Sequence, residues 1–171
     1  MTRTLATEDG HRVCIGPLRR ADHLALYRVF SRVVSAGDGF PHAAPLTPET
    51  FRATWVTGVT VAVAARIDTG EDTEVAGAYY LRANFVGRAA HIANAGYVVA
   101  EPFRRRGIGR LLVEDSVVRA PAAGFDAIQF NLVFASNPAR NLYESLGWRQ
   151  LGRVPDAVEG EDALIFHRTV P

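Results

Sequence analysis

Residues 104–110 read Arg-Arg-Arg-Gly-Ile-Gly-Arg, and the chemistry open to such a run is to hold an anion. It stands where the strand-like "HIANAGYVV" gives way to a helix beginning near Gly107. Backbone N–H groups at a helix start lack intrahelical partners and carry partial positive charge. Gly107 and Gly109 let the backbone approach a ligand closely, while Arg104, Arg105, Arg106 and Arg110 add fixed charge and forked donors. A diphosphate is the natural guest. The run lacks the Lys-Ser/Thr ending of a Walker loop and the third glycine of the dinucleotide fingerprint. The plainer alternative is a solvated basic turn.

Two asparagines raise a separate question. Asn94 and Asn131 each interrupt a strand that otherwise suits burial, "HIANAGYVV" and "FNLVFASN". A buried amide without partners costs about 1–3 kcal/mol, so both need hydrogen bonds. Either they staple neighbouring strands, or they face a cleft and hold a ligand. Asn137 precedes Pro138 and suits a helix N-cap, worth about 1 kcal/mol. Tyr143 shares a helix face with Leu142 and Leu146, so its ring suits a core.

The elements that must position these residues follow from periodicity. "HRVCIGPLRR" reads as a first strand. Asp22 is placed to cap a helix whose Leu26, Val29, Phe30 and Val33 share a face. The Gly- and Pro-rich stretch 35–48 is a loop, and Thr47-Pro48 opens a second helix in which Phe51 and Trp55 stack. "TVAVAARI", "VAGAYYLRA" and "HIANAGYVV", separated by "DTGEDTE" and "NFVGRAA", predict an antiparallel meander. A helix from about Gly107 to Ala122 puts Ile108, Leu111, Leu112 and Val118 on one side, with Asp115 spoiling that face. "FDAIQFNLVF" is a buried strand. "NPARNLYESLGW" is a short helix closed by Gly147, and "WRQLGRV" and "ALIFHRT" end the chain as strands. The expected class is α+β: a mixed, mostly antiparallel sheet of six to seven strands flanked by four helices, one domain over residues 1–171.

Composition narrows the function classes. The 171 residues are 48% hydrophobic and 22% charged, ordinary for a globular domain. A net charge of +1, with no aromatic residues inside the basic run, argues against nucleic-acid binding. Cys14 is the lone cysteine, a buried small hydrophobe by expectation; it excludes an internal disulfide framework, and no metal is expected. "MTRTLATEDGHRV" has no apolar core like a signal peptide's, and the longest apolar run, "VAVAA", cannot span a bilayer. A cytoplasmic protein without membrane contact is the expectation.

From about residue 91 to 154 the chain resembles the GCN5-related N-acetyltransferase superfamily. That family's acetyl-CoA motif, Gln/Arg-x-x-Gly-x-Gly/Ala after the fourth strand, is matched by Arg104, Gly107 and Gly109. Its Asn-led helix with a tyrosine, followed by Gly-Phe, is matched by Asn137, Tyr143 and "LGW". The common Asn-to-Tyr spacing is one residue longer and would land on Ser136. The resemblance implies acetyl-CoA as donor, with its diphosphate on Arg104, Arg105, Arg106, Gly107, Ile108, Gly109 and Arg110. It implies a backbone N–H of Val98 or Val99 at the thioester oxygen, further contact from Asn137, and Tyr143 as the acid for the departing sulfur. "HIANAG", "FNLVFASN" and "GRVP" are similar to fungal N-acetyltransferases acting on azetidine-2-carboxylate and other proline analogues, which carry asparagines matching Asn94, Asn131 and Asn137 in spacing. Those enzymes tend to have tryptophan at the position of Tyr143. The implied acceptor is a small-molecule amine, an amino acid or proline analogue. A homodimer is an expectation, since family members often pair. For the base, water ordered by Asn94 or Asn131 is expected, with His42 and His91 as rivals. The alternative function is an acyl-CoA-binding sensor or scaffold that does no chemistry.

Overall fold

The computed structural model describes residues 2–7, 10–68 and 73–171. Alternating apolar residues build one eight-stranded sheet: β1 (Arg3–Ala6), β2 (Arg12–Pro17), β3 (Val61–Asp68), β4 (Thr73–Ala83), β5 (Ile92–Val99), β6 (Ala127–Phe134), β7 (Arg149–Val158) and β8 (Glu161–Thr169). Spatial order is β1-β2-β3-β4-β5-β6-β8-β7. The β5–β6 pair is parallel and every other pair antiparallel. The expected meander is β3-β4-β5; residues 69–72 of "DTGEDTE" lie outside the described residues. The strand beyond the expected six to seven is β1, which pairs with β2 from Arg3–Ile15 to Ala6–Arg12.

Four α-helices flank the sheet: α1 (His23–Ser35), α2 (Pro48–Trp55), α3 (Ile108–Arg119) and α4 (Ala139–Ser145). Adjacent strand residues point to opposite faces, and Tyr79 and Tyr80 show which helices cover which. The Tyr79 hydroxyl donates to Asp115 of α3 at 2.9 Å. The Tyr80 ring meets Trp55 of α2 edge-on at 5.3 Å. One core therefore lies under α3 and α4, with Leu112, Val113, Phe130 and Tyr143. The other lies under α1 and α2, with Leu26, Phe30, Trp55 and Tyr80. Cys14, expected in a core, is half-buried.

Thr47 caps α2 as expected, accepting from Thr50 N at 3.1 Å. Phe51 and Trp55 share the buried face but do not stack: Phe51 meets Tyr27, and Trp55 meets Phe30 and Tyr80. Asp22 precedes α1 yet makes no side-chain cap bond. Its carboxylate instead accepts from Arg66 Nε of β3 at 3.0 Å and from Arg19 N at 2.6 Å. A buried guanidinium needs a counter-charge more than the helix start needs a cap. Asp115 does not spoil the face of α3. It is 0% exposed and is the face's polar anchor, held by Tyr79, by Arg119 Nε at 2.6 Å and by Arg3 Nη1 at 3.2 Å. Val118, expected inside, is 61% exposed, and Val113 and Val117 take the buried side. Among the described residues no helix is long and apolar enough to cross a membrane.

Candidate active site

The strands β5 and β6 pair only at Ile92–Ala127 and Ala93–Ile128, then diverge. The gap opens a cavity of about 410 Å³. Its wall includes Val99, Val113 and Tyr143 from the α3/α4 side and His42, Tyr80 and Asn94 from the α1/α2 side. The cavity thus reaches through the sheet and joins both faces.

At one end stands the arginine-glycine turn. Arg105 has φ +61° and Gly107 φ +80°, two left-handed residues that curl the chain before α3. Such conformations cost about 1–3 kcal/mol on a residue other than glycine, and they turn successive N–H groups toward one point. The first bond of α3 runs from Leu111 N to Gly107 O at 3.1 Å, so the N–H groups of Ile108, Gly109 and Arg110 precede the ladder. No acidic residue occupies the first turn. The Ile108 side chain itself is buried in the core, leaving only its backbone to meet a ligand.

The arginines do not act as one cluster. Arg104 pairs with Asp38 of the loop following α1 at 2.6 Å, and its Nε lies 3.4 Å from Val99 O. The Arg106 guanidinium lies over Phe103 at 5.7 Å. Arg110 reaches Ser145 Oγ at 3.4 Å and Glu114 at 3.7 Å. Arg105 is exposed.

Backbone direction separates Val98 from Val99. Ala100 N donates to Ala76 O across the β4–β5 pairing. By alternation Val98 N–H also points into that ladder, and Val99 N–H points the other way, toward the gap. The Val98 side chain forms part of the cavity wall on the α1/α2 side.

The asparagines differ from one another. Asn131 exchanges bonds with Asn84, donating at 2.6 Å and accepting at 3.1 Å, and also accepts from Gln129 Nε2 at 3.0 Å. Most of its capacity is used in stapling. Asn94 makes one long bond, Nδ2 to Gln129 O at 3.4 Å, and among the described residues its Oδ1 has no partner. Asn137 Oδ1 accepts from Ala139 N at 2.9 Å, so it serves the first turn of α4 while lying in the cavity wall.

Tyr143 is 8% exposed, with its ring against Phe130 at 4.7 Å and Phe166 at 5.8 Å. Among the described residues its hydroxyl makes no hydrogen bond, and burial raises its pKa above the usual phenol value. Tyr97 is committed elsewhere. Ser116 Oγ donates to Val113 O at 2.7 Å and so receives the Tyr97 proton, also at 2.7 Å.

Of the two histidines, His91 is exposed beside Arg88 O and outside the cavity wall. His42 is in the wall. Thr54 Oγ1 donates to Thr50 O at 2.8 Å, so it accepts from His42 Nε2–H at 3.0 Å. The other nitrogen, Nδ1, is buried without a partner. Burial, and then the positive charge of Arg82, lower the His42 pKa and keep the ring neutral. Nδ1 is thus the nitrogen of the neutral ring left to accept a proton, and it is buried.

Sequence reasoning missed Asp38, Phe40 and Tyr80, all in the cavity wall. Tyr80 carried a readable signal: in "AYYL" only one of two adjacent tyrosines can face each side.

Residues 38–148 match the Acetyltransferase (GNAT) family. The chain belongs to the GNAT acetyltransferase family. Over 86 residues it is 41% identical to N-acetyltransferase aca1 of Schizosaccharomyces pombe, a match spanning 50% of this chain and 41% of that protein. The chain thus covers less than half the length of that curated relative. A GCN5-related N-acetyltransferase from Kribbella flavida is similar throughout, with 33% identity, a TM-score of 0.84, and 92% of this chain and 98% of that one covered. The fold alone is shared with yncA of Salmonella typhimurium, solved with its cofactor acetyl-CoA: 14% identity, TM-score 0.79, 93% and 94% covered. The donor-side geometry of this GNAT domain fits acetyl-CoA. A left-handed turn, free helix N–H groups and an acid-free first turn suit a diphosphate.

Proposed function

We propose that the domain transfers the acetyl group of acetyl-CoA to the amine of a small molecule, with amino acids and proline analogues as the favoured class. The observation that carries this reading is the cavity passing through the sheet, with Arg104 and Gly109 of the arginine-glycine turn in its wall at one end and Asn94, with its unpartnered Oδ1, in its wall on the α1/α2 side.

Acetyl-CoA supplies an acetyl group already activated as a thioester. The chain's residues do the rest. The N–H groups of residues 105–110 hold the diphosphate, helped by Arg104, Arg105, Arg106 and Arg110. Val99 N–H donates to the thioester oxygen as negative charge develops there. The same sheet holds amine and carbonyl together on opposite sides of the gap. The new C–N bond replaces the C–S bond. The amine gives up one proton, through water on Asn94 Oδ1, and the sulfur gains one from Tyr143. Asn131 and Asn84 keep Asn94's neighbourhood rigid. Asn137 fixes the start of α4 and so aims Tyr143.

The test is coenzyme A release, followed with a thiol reagent, over azetidine-2-carboxylate, proline, alanine and putrescine. Acetyl-CoA binding is measured separately by calorimetric titration. Turnover with one of the amino acids supports the proposal. Tight binding without release from any amine would make the domain an acyl-CoA sensor instead.

A further inference from the structure

Tyr80 has no part in the account above, yet its hydroxyl is the most prepared unpartnered group in the cavity. The ring is 9% exposed. It is clamped by Trp55 at 5.3 Å and by the Arg82 guanidinium at 4.6 Å from its centroid. The third side of the clamp is a missing side chain. Tyr80 pairs with Gly96 across β4 and β5. A Cβ at Gly96 would lie 2.6 Å from Tyr80 Cε1 and 2.8 Å from its hydroxyl oxygen. The glycine therefore lets the phenol lie flat over β5 and carry its oxygen above bare backbone. Among the described residues that oxygen has no hydrogen-bond partner, nor is it one of the sealed buried atoms. Burial raises the Tyr80 pKa, against the pull of Arg82, so the phenol stays neutral and can accept a bond from N–H.

Position gives the oxygen its meaning. Asn94, with its unpaired Oδ1, lies two residues from Gly96 along β5 and on the same face. Val99, whose N–H opens to the gap, lies three residues the other way. We infer that the Tyr80 hydroxyl and the water on Asn94 Oδ1 seat the acceptor nitrogen, between them accepting its N–H hydrogens, two from a primary amine and one from a cyclic secondary amine, so that the nitrogen lone pair is left facing the carbonyl carbon held at Val99. The inference deepens the acetyl-transfer proposal and rests on it. It also narrows the acceptor. Among the described residues the only carboxylate in the cavity wall is Asp38, already paired with Arg104 at 2.6 Å. A polyamine finds no free counter-charge there. The seat takes a single amine, delivered uncharged, on a compact body that fits against the rings of Tyr80 and Phe40.

Tyr80→Phe keeps the clamped ring and removes the oxygen. The account predicts that kcat/KM for azetidine-2-carboxylate, or for whichever amine of the panel the wild type turns over best, falls about 10- to 100-fold. The acetyl-CoA dissociation constant stays within about twofold and the melting temperature is unchanged. Gly96→Ala moves the oxygen without deleting it and should lower the same acceptor term. Unchanged acceptor kcat/KM in Tyr80→Phe overturns the seat while leaving acetyl transfer intact. So does a loss confined to acetyl-CoA affinity, which is what a packing role would give. A wild type that turns over putrescine and none of the amino acids also overturns it. A wild type that releases no coenzyme A with any amine defeats the acetyl-transfer reading, and the seat falls with it.

Discussion

The ring and the hydroxyl of Tyr143 do separate things. The ring is core, locked among Phe130, Phe166 and Trp148. Phenol pKa, about 10, already exceeds that of a thiol, about 8.5, and burial widens the gap, so complete proton transfer to sulfur is uphill by at least about 2 kcal/mol. Tyr143→Phe should therefore lower kcat by about 10²-fold, the low end for general acids, with acetyl-CoA affinity held. Steady-state kinetics beside a titration check this, and undiminished kcat would reduce Tyr143 to a packing residue. Arg104 is a different case, since its present partner is Asp38. Both side chains are nearly half exposed, so the pair is worth about 1 kcal/mol or less. Asp38→Asn should release Arg104 and tighten acetyl-CoA by up to about fivefold. A weaker complex would contradict this competition. The motif that carries the arginines, Asn137 and Tyr143 can be read in the sequence because it is local. The pairing of Asp38 with Arg104 cannot, because the two lie far apart along the chain.

Two glycines at the head of α3 invite opposite experiments. Gly107 has a left-handed backbone, so any side chain there strains the turn whatever binds. Gly109 is cleaner: the nearest atoms to an added Cβ are Leu142 Cδ2 and Val99 Cγ2, both at 3.9 Å. Gly109→Val should fold with a melting temperature within a few degrees of wild type and lose about tenfold or more in acetyl-CoA affinity. Unchanged affinity would move the diphosphate away from α3. At the other end of the sheet, Asp22 ties the start of α1 to β3 through Arg66. Burial alone would raise the Asp22 pKa, but the Arg66 guanidinium and Arg19 N–H outweigh it and hold it below the usual carboxylate range. The folded value lies below the unfolded one. The stabilisation is therefore complete above about pH 4 and is lost as pH falls through the folded value. Asp22→Asn should cost about 3 kcal/mol at neutral pH, and the gap between the two melting curves should narrow below about pH 4. In sequence Asp22 reads as a cap and Asp115 as a blemish. Each is a buried carboxylate answering a distant arginine, and periodicity carries no record of such pairs.

Strand alternation and the two apolar helix faces made the sandwich of helices on a mixed sheet readable from the chain alone. What escaped was β1, four residues alternating half-buried and exposed, whose worth lies in pairing with β2 and in Arg3 reaching Asp115. Also unreadable was the divergence of β5 from β6. It is a relation between strands, and neither strand's own pattern reports it. Yet that divergence opens the cavity, and it lets one cavity touch Gly109 at the head of α3 and Tyr80 on the opposite face. The proposed function divides the molecule into a donor side and an acceptor side across one sheet. A crystal structure with acetyl-CoA bound tests it most directly. The account predicts diphosphate oxygens within about 3 Å of the N–H groups of residues 105–110, and the thioester oxygen on Val99 N–H. It also predicts the acetyl carbon at the gap, with Tyr80 and Asn94 facing it from beyond the sheet. A diphosphate seated away from α3, or an acetyl group directed to solvent on the α3/α4 side, would contradict it.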